Sequence, residues 1–552
     1  EDPTKWSQIA RIFEEYLRRA QATPRNSAQR RHIPSALLQA ATAYRKFGNS
    51  EKAKQSLRRF VSLYPKHELV GDARVSLAEL ERAGGDSAAA LATFRQAVKT
   101  ATGPEAKARA LLEVGTLERD QKLFRESMQS LDQAVKVSKS RGVSDELKRE
   151  VALQRALSYT AGGRADEGTK HLRQFVRAYP TGFRSADGRI ELGYALIDAA
   201  KYSDAIEIVS PLVSATASTT RRVDALYIHG WSNARLAEVS KDEAKRAEHW
   251  KSLEADYRQI LENYGTSAIA KDAQLELGEH FLRRGELESA KKELESLVAS
   301  VEGSKGADRL LSRGLFALAC VRSDAKEHGV ARGLFDRVVE VESRTKSNAL
   351  MVPALFHSAR AWMKSRGERE AAERFQRISA QPRANAGEYY DESLLRLGEC
   401  YHRLQEYPKA ISTFQRLLKE SPKSPLVHEA RFGHGFALQF MDRPKDAIKE
   451  LRKVVTGTQQ VVAARAQYHI GECFLDQDQA KEAAREFLSV VAGFDFDGPY
   501  RAWVRRALLS AGLAYEKAGD TDAARKQWGE LIERFSGSDE AKAAKRRLEK
   551  VR

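Results

Sequence analysis

Residues 397–422, LGECYHRLQEYPKAISTFQRLLKESP, contain the spacing that decides the fold. Gly398 is followed after three residues by Tyr401, after twelve by Ala410 and after sixteen by Phe414. A small residue lets a second helix approach closely, and a large side chain on that helix fills the groove. The spacing therefore predicts two antiparallel helices, and Pro422 indicates that the second one has ended.

A small residue recurs along the chain, mostly at intervals of 36 to 42 residues. We place it at Ala41, Ala78, Gly115, Ala156, Gly193, Gly230, Gly278, Ala317, Ala359, Gly398, Gly435, Gly471 and Gly512. A second small residue and a bulky one follow in eight units, as in Ala53 with Leu57 and Ala524 with Trp528. A period of this length predicts stacked helix pairs, an organisation that also suits a chain of 552 residues.

The turns carry a second signal. Glycine occupies the turn between two helices at Gly48, Gly163, Gly285 and Gly519, where a left-handed backbone is least costly for glycine. Proline or glycine follows the second helix at several places, which stops the helix and starts the next one at a new angle. Together these signals predict an all-α chain of about thirteen helix pairs.

The motif resembles a known repeat. Leu397, Gly398, Tyr401, Ala410, Phe414 and Pro422 match the tetratricopeptide repeat position by position, and the resemblance extends from about residue 34 to residue 552. It implies a right-handed α-solenoid that binds proteins. The link after the second helix is long, as in residues 421–430, which is similar to bacterial envelope members such as the outer-membrane assembly lipoproteins and the Tol-Pal-associated periplasmic coordinator. The chain has no N-terminal cysteine to lipidate, which puts direct anchoring in doubt.

The repeats and their interruptions predict five segments. We expect residues 1–33 to form an N-terminal capping helix, 34–237 a first array, 238–265 an extended helical insertion, 266–537 a second array and 538–552 a basic C-terminal capping helix. The charged composition of residues 240–250 predicts a first helix prolonged by about three turns, either as a docking projection or as a neutral insertion. The aromatic loop 494–500 is expected to pack on a neighbouring helix.

Basic residues outnumber acidic ones by 93 to 76, and most of this excess is spread along the chain. Two local excesses lie near the ends, and they comprise Arg18, Arg19, Arg25, Arg30 and Arg31, and Lys545, Arg546, Arg547 and Lys550. Each is either a solvated basic end or a contact for an anionic partner. A nucleic-acid-binding solenoid is therefore the alternative to a protein scaffold.

The usual signatures of an active site are missing from the sequence. It contains no Gly-rich phosphate loop, HExxH, paired CxxC or nucleophile elbow. Cys400 and Cys473 each follow the small residue by two places, which predicts small, inert thiols on helices. His402 and His469 lie two units apart, too far to share one zinc ion with them. We expect no enzyme, no cofactor and no metal site.

The resemblance implies that the second, fifth, ninth and twelfth positions of each first helix face a concave surface. Apolar and aromatic residues fill the fifth and ninth positions, and the candidate partner-binding set is Ile190, Tyr194, Tyr227, Trp231, Phe356, Phe432, Phe436 and Tyr468. These residues either bind an extended or helical segment of a partner or pack against neighbouring helices. Lysine and arginine do not form a line at these positions, so a chaperone-tail clamp is not expected.

These observations favour a non-catalytic scaffold or adaptor in a bacterial envelope assembly. It would bind protein partners and reach a membrane only through them. The chain begins at Glu1 with no Met and no charged-then-apolar leader, which favours a periplasmic form left by signal-peptide removal; a cytoplasmic adaptor is the alternative. No stretch approaches eighteen consecutive apolar residues, so no transmembrane helix is predicted.

Overall fold

Helices account for the regular secondary structure in the described part of the chain. The computed structural model describes residues 3–23, 28–214, 221–346 and 348–550. The contacts between helices separate two compact units, Glu1–Ala273 and Gln274–Arg552. Each unit is described by itself below.

The helices of the first unit are, in chain order, α1 (Pro3–Ala22), α2 (Ile33–Phe47), α3 (Ser50–Leu63), α4 (Val70–Ala83), α5 (Ser87–Thr100), α6 (Pro104–Asp120), α7 (Phe124–Ser138), α8 (Asp145–Ala161), α9 (Ala165–Ala178), α10 (Ser185–Asp198), α11 (Tyr202–Val213), α12 (Arg222–Val239) and α13 (Glu243–Tyr264). A short 3-10 helix, Ala28–His32, lies between α1 and α2. The next helix, α14 (Ala268–Arg283), contains the boundary between the units.

The second unit continues with α15 (Leu287–Val301), α16 (Asp308–Asp324), α17 (His328–Thr345), α18 (Met351–Lys364), α19 (Glu368–Ser379), α20 (Arg383–Ala386), α21 (Tyr389–Arg403), α22 (Tyr407–Glu420), α23 (Val427–Phe440), α24 (Pro444–Val455), α25 (Val461–Leu475), α26 (Ala480–Gly493), α27 (Arg501–Lys517), α28 (Thr521–Phe535) and α29 (Asp539–Lys550). Apart from the four-residue α20, helices α2 to α28 form thirteen consecutive pairs. The predicted all-α array is confirmed, and we call the two members of a pair its first and second helix.

Small residues on the first helices hold bulky residues of the second helices at close range. A Cβ built on Gly398 would lie 2.5 Å from Cε1 of Phe414, and one on Gly471 would lie 2.6 Å from Cε1 of Phe487. Phe414 and Phe487 are almost completely buried. The sixteen-residue spacing that predicted the pairs is therefore the spacing of a direct side-chain contact.

One pair corrects the predicted phase. In α16 and α17 the small residue that packs against the second helix is Ala319, whereas the sequence analysis placed it at Ala317. Ala319, Ala331 and Phe335 form one buried cluster, and the ring of Phe316 lies 5.5 Å from that of Phe335. Because both alanines are buried and small, only the packing distinguishes them.

In most pairs, the residue seven places after the small residue of the first helix has a left-handed backbone conformation. In the pair of α16 and α17, this count starts from Ala319. The left-handed conformation occurs at Gly48, Gly85, Lys122, Gly163, Ala200, Gly285, Lys326, Arg366, Gln405, Asp442, Asp478 and Gly519. The next amide then donates to the carbonyl five residues back, as from Asn49 to Tyr44 and from Gln479 to Phe474, each at 2.9 Å. Most of these residues are not glycine, so the packing of the pair imposes a turn that their side chains disfavour.

The extra residues near position 240 lengthen the second helix of their pair. α12 ends at Val239, and the Asp242 carboxylate starts α13 by accepting hydrogen bonds from the amides of Ala244 (2.9 Å) and Lys245 (3.2 Å). α13 has 22 residues, against 14 in α3. The prediction of a prolonged first helix is therefore wrong, because an N-cap interrupts the helical sequence.

The loop before α27 packs on its neighbours, which confirms the prediction for residues 494–500. Phe494 stacks on Tyr500 at 5.3 Å between ring centroids, and Phe496 lies 6.3 Å from Phe535. The Tyr500 hydroxyl donates to the carbonyl of Gln459 at 2.8 Å. Within the described residues, no helix has both the length and the apolar character that crossing a membrane requires.

Candidate partner-binding surface

Two candidate residues of the first unit, Ile190 and Tyr194, lie in the core or at its edge. Ile190 is 1% exposed and lies in the core that α8 to α12 share. Tyr194 is half-buried beside it. Burial raises the pKa of Tyr194 to about 12, and the negative charge of Asp224 adds to the effect. Ile190 is thus a packing residue, and the Tyr194 hydroxyl stays protonated.

The other two candidates of the first unit turn toward second helices. The ring of Tyr227 stacks on the buried Tyr257 of α13 with centroids 5.9 Å apart. Trp231 meets the edge of Tyr202 in α11 at 5.8 Å. Each of these rings therefore packs on a ring of its own or the preceding pair, and much of its area is already used within the unit.

Phe356 belongs to a separate aromatic core in the second unit. It is 3% exposed and contacts the rings of Phe375 at 5.8 Å and Tyr389 at 5.0 Å. This burial leaves little of the ring for a partner. Phe356 therefore packs between helices, which is the alternative to partner binding that the sequence left open.

The remaining three candidates are brought together by α23 and α25. Phe432 stacks on Phe436 at 5.6 Å, and His469 lies 5.5 Å from Phe432 and 4.5 Å from Phe436. Tyr468 contacts His469 at 5.6 Å and donates or accepts a hydrogen bond with Ser510 at 3.0 Å. Phe436 and Tyr468 are half-buried, whereas Phe432 is 4% exposed. The three predicted residues thus form one continuous set of rings.

Further rings extend this set in both directions. His402 of α21 stacks on Phe436 at 4.5 Å, and Phe440, at the end of α23, contacts both at 5.2 Å and 5.0 Å. At the other side Trp503 of α27 lies 5.6 Å from Tyr468. We call the group His402, Phe432, Phe436, Phe440, Tyr468, His469 and Trp503 the aromatic surface. Burial lowers the pKa of His402, and the nearby His469 lowers it further, so this ring is neutral at pH 7.

A cavity of about 280 Å³ opens beside the aromatic surface, between α21, α23 and α25. Its apolar wall includes Leu395, Phe414 and Phe432, and its polar wall includes Arg465. The Arg465 guanidinium lies 4.2 Å from the Phe432 ring centroid. Burial lowers the pKa of Arg465, because the guanidinium loses water.

Comparison with protein families now identifies the repeat. A tetratricopeptide-repeat model matches residues 35–67, 150–182, 392–424 and 506–538, and a second model of the same repeat matches residues 75–141. Tetratricopeptide repeats therefore occur in this chain. The matched tetratricopeptide units lie in both halves of the array, and the one at 392–424 contributes α21 and His402 to the aromatic surface.

No curated protein matches the chain. Among solved structures, PilF of Pseudomonas aeruginosa is 20% identical, with 45% of this chain and 99% of that one covered at a TM-score of 0.33. Apo RapI is 15% identical, covering 66% and 98% at 0.41. The Cut9–Hcn1 hetero-tetramer of APC/C is 12% identical, covering 96% and 98% at 0.33. At these values the likenesses carry no argument about function.

The sequence analysis missed several residues of this tetratricopeptide surface. Arg465 and His402 occupy a second and a twelfth position, which the resemblance already implied to face the concave side, but the candidate set was drawn from the fifth and ninth positions alone. Phe440 and Trp503 lie outside the four implied positions. No sequence signal distinguished them from the other aromatic residues of the repeats.

One cavity of the first unit is lined mainly by charged residues. This cavity of about 520 Å³ is lined by Arg82, Arg109, Arg119 and Arg184 together with acidic residues. Arg184 bonds Glu150 at 2.7 Å, Arg119 bonds Gln154 at 2.7 Å, Arg109 bonds Glu105 at 3.4 Å and Arg82 pairs with Glu113. These cations are already satisfied within the unit.

The predicted basic patches differ in how their charges are used. Arg18 and Arg19 both pair with Glu15, each at 2.6 Å, and Arg30 donates to the carbonyls of Gln21 and Thr23. Arg31 is exposed, and Arg25 lies outside the described residues. On α29, Lys545, Arg546 and Lys550 are exposed, and Arg547 pairs with Glu516 at 3.2 Å. The N-terminal patch is thus partly neutralised by an acid that precedes it.

The buried thiols are poor nucleophiles. Cys400 and Cys473 have no exposed surface, and burial raises the pKa of each to about 12. A thiol with this pKa is almost entirely protonated at pH 7. Among the described residues, no group of three or more metal-ligating side chains converges.

Proposed function

We propose that this tetratricopeptide repeat protein is a non-catalytic scaffold that binds a protein partner on the aromatic surface of its second unit. The observation that carries the proposal is the aromatic surface beside a cavity whose lining includes Arg465, a guanidinium with no hydrogen bond or ion pair to another described residue. Aromatic and arginine side chains are the residue types that contribute most binding energy in protein interfaces. The proposed site keeps the candidate residues Phe432, Phe436 and Tyr468 of the second unit.

The exposure along the surface supports a binding role. Phe440 is 52% exposed and the adjacent Met441 is 37% exposed, while Phe436 and Tyr468 are half-buried. Burying such side chains against a partner releases about 25 cal/mol for each Å² of apolar surface. Ile190 and Phe356 are nearly inaccessible and are left out of the proposed site.

The finer part of the proposal is a role in a bacterial envelope assembly. It is supported by the long link between units, as in residues 421–430, which resembles that of envelope members of the family. We expect osmotic shock to release the native protein together with a periplasmic marker and without a cytoplasmic marker. Retention with the cytoplasmic marker would leave the scaffold proposal standing and remove its envelope part.

Site-specific photocrosslinking in the native host tests the binding surface. A benzoylphenylalanine placed at Phe436 should capture a defined polypeptide that mass spectrometry identifies. The control position is Phe47, an aromatic residue of similar type at the end of α2 that is 41% exposed. Capture of the same polypeptides from both positions, or of none from Phe436, would remove the aromatic surface as the binding site.

Nucleic acid remains the alternative partner, and the paired state of Arg18 and Arg19 weighs against it. The exposed lysines and arginines of α29 are the residues that would carry such binding. Salt-sensitive retention on DNA or RNA that is lost on replacing Lys545, Arg546 and Lys550 by glutamine would favour this alternative. We expect no such retention at 0.15 M salt.

A further inference from the structure

The larger cavities of the protein contain cations that already have partners. The cavity of about 520 Å³ in the first unit is lined by arginines that bond acidic or amide side chains. A cavity of about 440 Å³ beside α15, α16 and α17 is lined by Arg337, which pairs with Glu302, and by Arg344, which pairs with Asp308. The arginines that line these two cavities are therefore already paired and are not available to an incoming anionic ligand.

The cavity beside the aromatic surface differs in this respect. Within the described residues, Arg465 makes no hydrogen bond and no ion pair, although it is half-buried. Of the two nearest carboxylates, Glu399 is bonded to Arg396 at 3.0 Å, and Glu429 lines the cavity without bonding Arg465. The guanidinium has lost water and has gained contacts with the rings of Phe432 and Trp503. The charges of Glu399 and Glu429 attract it without a hydrogen bond, so a carboxylate entering the cavity would find a donor that no described side chain uses.

The walls of the cavity indicate what accompanies that carboxylate. Leu395, Phe414, Phe432 and Phe436 form apolar walls around the guanidinium. The rings continue on one side to Phe440 and on the other to Tyr468 and Trp503. Because contact surface extends past the cavity in both directions, a chain that passes across it uses more of the surface than a chain end would.

We propose that the cavity binds an aspartate or glutamate side chain of an internal partner segment, with an aromatic or large aliphatic residue beside it. This inference rests on the proposed scaffold function and names the chemistry of its partner. Arg465 donates two hydrogen bonds to the carboxylate while its face remains on Phe432. The apolar neighbour fills the space along Phe436.

A positional-scanning array of acetylated hexapeptide amides, probed with the labelled full-length chain, tests the inference. The selected hexapeptides should carry an acidic residue next to Phe, Tyr or Leu. Arg465→Gln should weaken binding of a selected acidic hexapeptide by about 10- to 100-fold, the range of a lost charged hydrogen bond, and should leave its glutamine analogue unaffected. Glu429→Gln, which removes a like charge from the cavity, should tighten binding of the acidic hexapeptide.

Arg506→Gln is the matched control. Arg506 occupies the equivalent second position in α27 and lies 5.0 Å from the Trp503 ring, but it is exposed and does not line the cavity. We expect this variant to bind as the unaltered chain does. Unchanged hydrogen exchange of α25 in Arg465→Gln shows that the variant is folded.

The outcomes separate the two proposals. Equal binding of acidic and glutamine hexapeptides, or full binding by Arg465→Gln, overturns the inference and leaves the scaffold function intact. A parallel array carries hexapeptides with free C-terminal carboxylates. Binding to that array alone also overturns the inference, since a chain end is then the ligand. Failure of every hexapeptide together with failure of the Phe436 crosslink overturns both.

Discussion

Gly512 of α27 is a position where one added methyl group should damage the packing of a pair. A Cβ built there would lie 2.5 Å from Cδ1 of Trp528, and closer still to Nε1. Trp528 has no exposed surface, and its indole N–H donates to the carbonyl of Leu509 at 3.3 Å. Gly512→Ala must therefore displace a large ring that has no empty space to enter.

The matched variant is Gly529→Ala in the partner helix α28. A Cβ at Gly529 meets no atom within 4 Å, and its φ is not positive. Both substitutions gain the helix propensity of alanine, about 1 kcal/mol. Gly512→Ala also incurs about 1–3 kcal/mol of overpacking and about 1 kcal/mol for the Trp528 hydrogen bond. We expect a net loss of about 1–3 kcal/mol at Gly512 and a gain of about 0.5–1 kcal/mol at Gly529.

Hydrogen exchange measured by mass spectrometry is the appropriate assay, because a long repeat array need not unfold in one cooperative step. Peptides from α27, α28 and α29 should exchange about 10- to 100-fold faster in Gly512→Ala and more slowly in Gly529→Ala. Peptides from α2 and α3 should be unchanged in both, since contacts are made between neighbouring pairs. Equal protection of α27 and α28 in the two variants would refute the packing argument.

Three further predictions concern buried polar groups. His280 is 3% exposed, and burial lowers its pKa from 6.5 to about 4. The unfolded chain therefore binds the proton more tightly than the folded chain does. As the pH falls to 5, this difference should lower the free energy of unfolding by about 2 kcal/mol, and His280→Phe should flatten the pH dependence of hydrogen exchange in α14. Ser127 donates to the carbonyl of Gly115 and lies 2.6 Å from the Ser158 hydroxyl; Ser127→Ala should cost about 1–3 kcal/mol, with a smaller further loss in the double alanine variant, read from exchange in α7 and α8. Cys400 and Cys473, with pKa values of about 12, should resist iodoacetamide at pH 8 until the chain is unfolded, and rapid alkylation of the native protein would contradict their burial.

The helix pairs could be predicted because their signal is local. Gly398 and Phe414 are sixteen residues apart in the sequence and touch in the structure, so spacing alone specifies the contact. Ala317 and Ala319 show where this reasoning ends. Both are small and buried, and only the neighbouring Phe335 selects Ala319.

The candidate surface was predictable in part for the same reason. Phe432, Phe436 and Tyr468 were found because repeat positions place them on one face. Their joining to His402 and Trp503 depends on contacts between different first helices, which no spacing within one unit encodes. Among the residues that the structure describes, the lack of a hydrogen-bond or ion-pair partner for Arg465 likewise depends on the assembled neighbours.

The sequence by itself therefore determined the element type and the number of pairs, since these follow from helical periodicity and side-chain size within about forty residues. The tertiary structure alone decided which inward residues are covered and which charges are neutralised. Tyr227 is stacked on Tyr257, thirty residues away in sequence, whereas Phe440 is left exposed. The exposed fraction of a side chain and its ion pairs depend on all the residues that surround it in the fold. A spacing pattern within one repeat unit does not specify those residues.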